Sequence, residues 1–504
     1  MYLATIVLLL QSRTTLCGNV LGVFTFPSIS HQLIYQPLWK ELSLKGHNVT
    51  VLTPDPLNHP SLTNLTELSI RFTYDFLKQT KLQNLMSKDF NILQSVDSVY
   101  RFMDAIAEVV LNSTVFKQLI VDQTRHFDLI LIDCFHPSMY ALAGRFKAPI
   151  IGVAPCGMLA AWYDSTGNPT HPVLHPDILL KFHDRELSLW QKTKSVVFGL
   201  WTRYYYHGVL VPRVHDIVAK HLGNLGYLTN FEKNQSMRLL NLNPAVYPPR
   251  ANVPAVVETA LGHIQPVKPL PEDLQKVLDG ATEGVVYVSL GSNIRSVDLD
   301  ARLRKVIVEA LSELPYKVLW KWESDCLLDR PKNVVTRKWY PQQDILAHRN
   351  VRVFVTQGGL QSTGEAISRG VPLIGMPFMS DQPMNVQKIV KMGIGLGVDP
   401  VSVSKEELKG CIIEVVENQG YKRRIQEVRN LWYDVPMTGL DRAVWWSEYV
   451  IKHKGAKHLR SPAADISWCD YFLVDVVLTT VLVISGTIYL VHKVIQLPFI
   501  TCYL

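Results

Sequence analysis

The sequence predicts two α/β domains, each built on a parallel sheet, followed by one apolar helix at the C-terminus. Three observations carry this. At 504 residues the chain exceeds one ordinary hydrophobic core. A strand–helix–strand rhythm runs on both sides of a cluster of prolines. An apolar run of about 20 residues lies near the end, long enough to cross a bilayer.

In chain order, Leu3 to Leu10 is a short apolar stretch leading to Cys17-Gly18, which predicts a cleaved signal peptide over residues 1–18. Val20 to Phe26 then reads as a strand, Pro27 to Ser30 as a turn, His31 to Leu44 as an amphipathic helix and Val49 to Leu52 as the next strand. Leu33, Ile34, Leu38, Leu42 and Leu44 approximate helical spacing, and Lys45-Gly46-His47 supplies a basic, glycine-marked stop. Further strands are expected at Phe127 to Ile132 and Ile150 to Val153, giving a first domain over 19–243. Prolines at 244, 248, 249, 254, 266, 269 and 271 place a linker over 244–271.

The rhythm restarts in a second domain over 272–450: strand Val285 to Val288, loop Ser289 to Ser292, then strands Tyr316 to Trp320, Asn333 to Thr336 and Val351 to Val355. A juxtamembrane segment over 451–470 leads to a transmembrane helix over 471–491 and a short cytoplasmic tail over 492–504. The basic cluster before the span favours a cytoplasmic body by the positive-inside rule. The signal peptide outweighs it, because large domains cross a membrane largely regardless of charge. The expected topology is single-pass with a lumenal body, and Asn48, Asn64, Asn112 and Asn234 are candidate glycosylation sites.

The net charge of +7 forms no long basic run, which argues against nucleic acid as a partner. Seven cysteines without Cys-x-x-Cys pairs point neither to zinc nor to a dense disulfide framework. Open parallel sheets bind ligands at the carboxyl ends of their strands. Two loops there carry chemistry: the one before His31, and Thr356 to Ala366, TQGGLQSTGEA. The latter leaves a buried strand through two glycines and puts hydroxyls and a carboxylate at a helix start, as suits backbone brought close to an anion.

From Trp339-Tyr340-Pro341-Gln342-Gln343-Asp344 through TQGGLQSTGEA and Gly370-Val371-Pro372 to Asp381-Gln382-Pro383-Met384-Asn385, the sequence resembles the UDP-glycosyltransferases of the detoxification type, and within them the insect members. Phe26 to His31, Arg442 to Trp446, Lys454 to Arg460 and the C-terminal span extend the resemblance over essentially the whole chain. It implies a GT-B fold, with an acceptor held by the N-terminal half and a UDP-sugar by the C-terminal half across a cleft. It also implies residence in the endoplasmic reticulum membrane and a lipophilic alcohol or phenol as acceptor. A homo-oligomer stays open.

Carried onto these residues, Trp339 would stack on uracil, Gln342 would meet the nucleoside and Glu365 the ribose hydroxyls. Ser362, Gly364 and backbone N–H groups near Gly359 would hold the diphosphate, with no metal or other cofactor required. Ser292 would close the site, and Asp381 and Gln382 would bind the sugar. Gln357 and Gln361 stand where vertebrate members usually have His and Asn; an amide still offers an N–H to a phosphate oxygen. The implied base is His31, kept neutral by the helix start. Asp133 is its expected partner, orienting the imidazole and stabilising the imidazolium, and Asp128 is a rival at the far end of the same strand. The acceptor pocket is expected around Trp162, Tyr163 and the aromatic stretch Trp201 to Tyr206.

Other motifs carry less. Asp298-Leu299-Asp300 reads as a capping pair rather than a metal motif. Gly359 to Gly364 has one residue too many for a nucleophile elbow. The alternative to an enzyme is a membrane-anchored, non-catalytic binder of UDP-sugars or lipophiles that keeps the fold.

Overall fold

The computed structural model describes residues 17–80, 91–180, 182, 186–260 and 262–500, without the side chains of 80 and 497–500. The expected signal peptide therefore lies outside the described residues except for Cys17 and Gly18.

Two fully parallel sheets form the frame. The first has seven strands in the order β3-β2-β1-β4-β5-β6-β7. They are β1 (Asn19–Val23), β2 (Asn48–Thr53), β3 (Leu65–Ser69), β4 (Leu129–Asp133), β5 (Ile150–Ala154), β6 (Met237–Leu240) and β7 (Val256–Glu258). The second has six, in the order β10-β9-β8-β11-β12-β13. These are β8 (Val285–Ser289), β9 (Lys317–Lys321), β10 (Val334–Arg337), β11 (Val351–Thr356), β12 (Leu373–Gly375) and β13 (Gly395–Gly397). Central strands such as β4 and β8 are buried at every position, so they are near-continuously apolar rather than alternating.

In each sheet the chain works outward from one central strand and then returns to its other side. The order reverses between β1 and β4 in the first sheet and between β8 and β11 in the second. A crevice opens at the carboxyl end of such a reversal. His31 follows β1 and Asp133 ends β4. Ser292 follows β8 and the TQGG turn follows β11. Both loops expected to carry chemistry thus flank a switch point, while Trp339 and Gln342 follow β10 and Asp381 and Gln382 follow β12.

Helix α1 (Ile29–Leu44) buries Ile34, Tyr35, Leu38, Trp39 and Leu42 against the first sheet, the stripe a 3.6-residue period produces. Helix α2 (Leu189–Tyr205) starts at a capping box of Ser188 and Gln191. Helix α3 (Leu360–Arg369) follows β11, and α4 (Gln382–Lys391) leads toward β13. Helix α5 (Gly439–His453) begins at a Thr438 cap. Helix α6 (Val474–Ile500) closes the described chain.

Three expected segments change. The proline-rich segment 244–271 is not all linker, because β7 pairs with β6 inside it. Residues 439–450, assigned to the second domain, belong by packing to the first. Ala443, Val444, Val450 and Ile451 of α5 share a core with Val20, Leu38, Trp39 and Leu129, and Arg442 donates to the Glu258 carbonyl at 3.0 Å. The apolar C-terminal span runs from Val474 to Gln496, beginning after Leu473, a non-glycine residue at φ +52°. It therefore starts later than residue 471 and takes in part of the expected tail. Asp300 caps its helix by accepting from the Leu303 N–H at 2.9 Å, as the capping reading requires.

Candidate functional site

The N-terminal wall is built on α1. The hydroxyl of its cap residue, Ser28, accepts from no first-turn N–H; it pairs with Ser30 Oγ at 3.1 Å and donates to Asn293 Oδ1 at 3.2 Å, on the opposite domain. His31 lies in the first turn, with its ring 4.9 Å from Phe26 and 5.4 Å from Phe135 between centroids. Burial among these rings lowers its pKa to about 4, so the imidazole is neutral at neutral pH. Nδ1 is buried without a hydrogen-bond partner.

Asp133 is fully buried beneath the cleft rather than lining it. Oδ1 accepts from the Phe135 N–H at 3.0 Å, and Oδ2 has no hydrogen-bond partner. The structure thus shows no His31–Asp133 hydrogen bond, contrary to the pairing the sequence led us to expect. The carboxyl group lies toward Tyr35, whose hydroxyl is held far above its usual range by burial first and Asp133 second. Asp128, the rival, sits at the other edge of the sheet, accepting from the Asn19 N–H at 2.8 Å.

The C-terminal wall explains the two glycines. Gly358 has φ +79°, and a Cβ there would fall 2.5 Å from Val386 Cγ2. Gly359 and Gly291 make room for the Gln357 amide: added Cβ atoms would stand 3.3 and 2.4 Å from its Nε2. Gln357 Oε1 accepts from Gln382 Nε2 at 3.1 Å, while Gln382 Oε1 accepts from the N–H groups of Phe378 and Met379. The two glutamines brace each other at the ends of neighbouring elements. Gly359 is the N-cap of α3 and offers no side-chain acceptor, so the helix opens on the cleft with first-turn N–H groups uncapped by a side chain.

Glu365 is the hub beyond that turn. Its oxygens accept from Gln342 Nε2 at 2.7 Å and Gln343 Nε2 at 3.0 Å, and Gln342 also donates to Ser362 Oγ at 3.0 Å. Trp339 is 57 % exposed, leaving an indole face open. Lys321, the last residue of β9, holds Nζ 5.5 Å from that ring, donates to the Gly291 carbonyl at 3.1 Å and is ion-paired to Glu323 Oε1 at 2.6 Å. Asp381 accepts from Asn385 Nδ2 at 2.9 Å, and burial raises its pKa.

One cleft of about 460 Å³ is lined by His31, Ser292, Trp339, Gln342, Gln357, Gly359, Gln361, Ser362, Glu365, Asp381 and Gln382. Gly364 does not line it: its Cα packs under Trp432, where an added Cβ would stand 3.2 Å from Cη2. Gln361 turns across the cleft to the Pro155 carbonyl at 3.4 Å. The apolar end of the cleft is formed by Phe26, Ile29, Leu33, Val99, Phe102 and Met103. Trp162, Tyr163 and Trp201 to Tyr206 are absent from its wall, and Trp162 instead supports Phe135 from behind, edge-on at 5.0 Å. These aromatic residues were expected in the pocket because composition does not reveal which side of a helix meets a cavity.

Sequence reasoning missed Lys321, Gln343 and Asn293. Lys321 had a signal, a cation ending a strand of the second sheet; Asn293 had its place beside Ser292. Of the sequons, Asn48, Asn112 and Asn234 are exposed. Asn64 is not open in the same way: its amide donates to the carbonyls of Ser43 and His47 at 2.7 and 2.8 Å, so a glycan on that nitrogen would break this network.

Two doubly wound parallel sheets with their switch points on one cleft define the GT-B architecture. Solved structures share that fold: the kitacinnamycin glycotransferase, with TM-score 0.58 and 18 % identity, covers 86 % of this chain and 98 % of its own. Glycosyltransferase VinC in complex with dTDP gives TM-score 0.58 and 17 % identity over 86 % of this chain and 100 % of its own. The chain belongs to the family described as UDP-glucoronosyl and UDP-glucosyl transferase, which it matches over residues 20–503. It is similar to UDP-glycosyltransferase UGT5 of Dactylopius coccus, 30 % identical over 94 % of this chain and 91 % of that protein. An ecdysteroid UDP-glucosyltransferase of Spodoptera littoralis nuclear polyhedrosis virus is 33 % identical over 94 % and 96 %. Human UDP-glucuronosyltransferase 2B7 is 27 % identical over 95 % and 92 %. The protein is therefore an enzyme of the UDP-glycosyltransferase class, using a UDP-sugar donor and an acceptor.

Proposed function

We propose that the enzyme moves glucose from UDP-glucose to a hydroxyl of a small lipophilic alcohol or phenol, with inversion at the anomeric carbon. The observation that carries this is that the His31 imidazole and the Trp339-to-Gln382 set line the same cleft. A neutral imidazole accepts the acceptor's hydroxyl proton. The oxygen attacks the anomeric carbon from the face opposite UDP, and the bond to the β-phosphate oxygen breaks, leaving the electron pair on UDP. First-turn N–H groups of α3 and the Gln357 amide receive the diphosphate charge, and Lys321 adds a cation nearby. Asp381 and Gln382 take the sugar hydroxyls, and Trp339 and Gln342 the nucleoside. Glu365 takes the ribose, exchanging its present amide donors for the ribose hydroxyls.

Asp133 Oδ2, at the end of β4, and His31 Nδ1, in the first turn of the helix that follows neighbouring β1, are both buried without a hydrogen-bond partner. Buried polar atoms are seldom left unpaired, and this pair supports Asp133 as the group that holds the imidazolium once substrate is bound. Glucose is favoured because the insect and viral relatives include proteins named UDP-glucosyltransferase. The apolar cleft end favours a lipophilic acceptor. The C-terminal helix anchors the protein in the endoplasmic reticulum membrane, with the body lumenal, a placement supported by the exposed sequons.

The test is release of UDP from UDP-glucose with a panel of phenols and alcohols. His31→Ala should lower the rate by roughly 10²- to 10⁴-fold, the usual contribution of a general base. Equal rates would remove His31 from the mechanism. No turnover by the wild type with any acceptor would favour the non-catalytic binder.

A further inference from the structure

Helix α2 presents an unpartnered apolar stripe to the outside of the N-terminal domain. At about 100° per residue, Leu189, Trp190, Val196, Val197, Leu200 and Tyr204 fall within an arc of about 120° along a helix about 25 Å long. All six are exposed, Trp190 at 70 % and Tyr204 at 69 %. Exposed Lys192 and Lys194 sit at the two margins of that arc. The opposite face, with Phe198, Thr202 and Tyr205, is buried.

The stripe ends beside the start of the C-terminal apolar helix. Trp468, in the segment leading to α6, lies 5.8 Å from the His207 ring and 5.9 Å from the Arg203 guanidinium, and it stacks on Phe472 at 5.7 Å. Leu473 and Val474 follow, both exposed. The apolar surface of α2 is thereby continuous with the only helix among the described residues long and apolar enough to span a bilayer.

We infer that the outer face of α2 lies in the lipid interface of the membrane that α6 spans, an inference that rests on the anchor reading above. A wide apolar arc with Trp and Tyr, bordered by lysines whose stems can follow the apolar surface while their ammonium groups reach headgroups, suits an interfacial helix. A second copy of the chain would not need the stripe to run into the anchor. The consequence for the site is direct. The inner face of α2 packs Tyr205 against Tyr100 at 5.9 Å, on the helix Ile92–Asn112, and Met103, one turn further along that second helix, lines the cleft. One helix therefore separates lipid from the acceptor wall.

The test uses the full chain in phosphatidylcholine vesicles containing alkyne-tagged phosphatidylcholine. Photoreactive p-benzoylphenylalanine is placed singly at Val197, at Ile484 in α6, and at exposed Leu431 on the second domain. Lipid capture at both Val197 and Ile484, each at least about ten-fold above Leu431, is the expected result. Capture at Ile484 with Val197 no better than Leu431 overturns the docking of α2 and leaves the anchor standing. No capture at Ile484 removes the anchor and this proposal with it. A crosslinked band at twice the chain mass from Val197 overturns the proposal in favour of a second copy.

Discussion

A carboxyl group with no exposure and a single backbone donor favours its protonated form, and burial pushes Asp133 up to about 7. In the unfolded chain the same group ionises near 4. Between those values the folded state keeps a proton that the unfolded state releases, so this group's contribution to stability is full at acid pH and is lost as pH rises through about 7. Asp133→Asn should therefore raise the melting temperature relative to wild type at pH 8 and leave it little changed at pH 4. A shift that does not depend on pH would show that the carboxyl ionises normally. Gln357 gives a second expectation at this scale. Gln357→Ala should raise the KM for UDP-glucose, because it removes an amide from the cleft and releases Gln382; Gln357→His should keep activity. An unchanged donor KM in the alanine variant would take Gln357 out of donor binding.

The helix starts and strand ends were legible from sequence wherever spacing and turn chemistry agreed. Gly358 followed by Gly359 marked a backbone held close to something, and the structure supplies the something: Val386 on one side and the cleft on the other. Gly358→Ala should cost about 1–3 kcal/mol from the positive φ alone, before the clash with Val386 is counted, and a denaturant midpoint equal to wild type would contradict this packing. What the pattern hid was direction. Gly364 was read as facing a diphosphate, yet a position one turn into α3 points toward Trp432. Trp162 and Tyr163 were read as pocket residues, yet both lie in the core. Periodicity says that a face is buried and not what it is buried against. The same helix start carries a prediction about metals. If backbone N–H groups of α3 and Lys321 neutralise the diphosphate, turnover should survive EDTA, and loss of activity restored by magnesium would require a different account.

At the scale of the molecule, the division into two units could be read from the proline cluster, but the ownership of the C-terminal segment could not. Nothing in the sequence of α5 distinguishes a helix that closes the second domain from one that returns to the first; only the non-local core with Val20, Leu38 and Trp39 decides it. Ile451→Ala should lower stability by about 2–5 kcal/mol, the range for a truncated core aliphatic, and the loss should appear in probes of the N-terminal unit, such as exposure of Trp39. A loss confined to the second domain would reverse the assignment. This return has a mechanical meaning as well. The chain crosses between the two bodies twice, once outward after β7 and once back before α5, so they are joined like a door hung on two pins. One link would permit tumbling in any direction; two confine the bodies chiefly to rotation about the line between the links. Opening the cleft to admit donor and acceptor, and closing it to bring His31 toward the sugar, then become opposite senses of one swing.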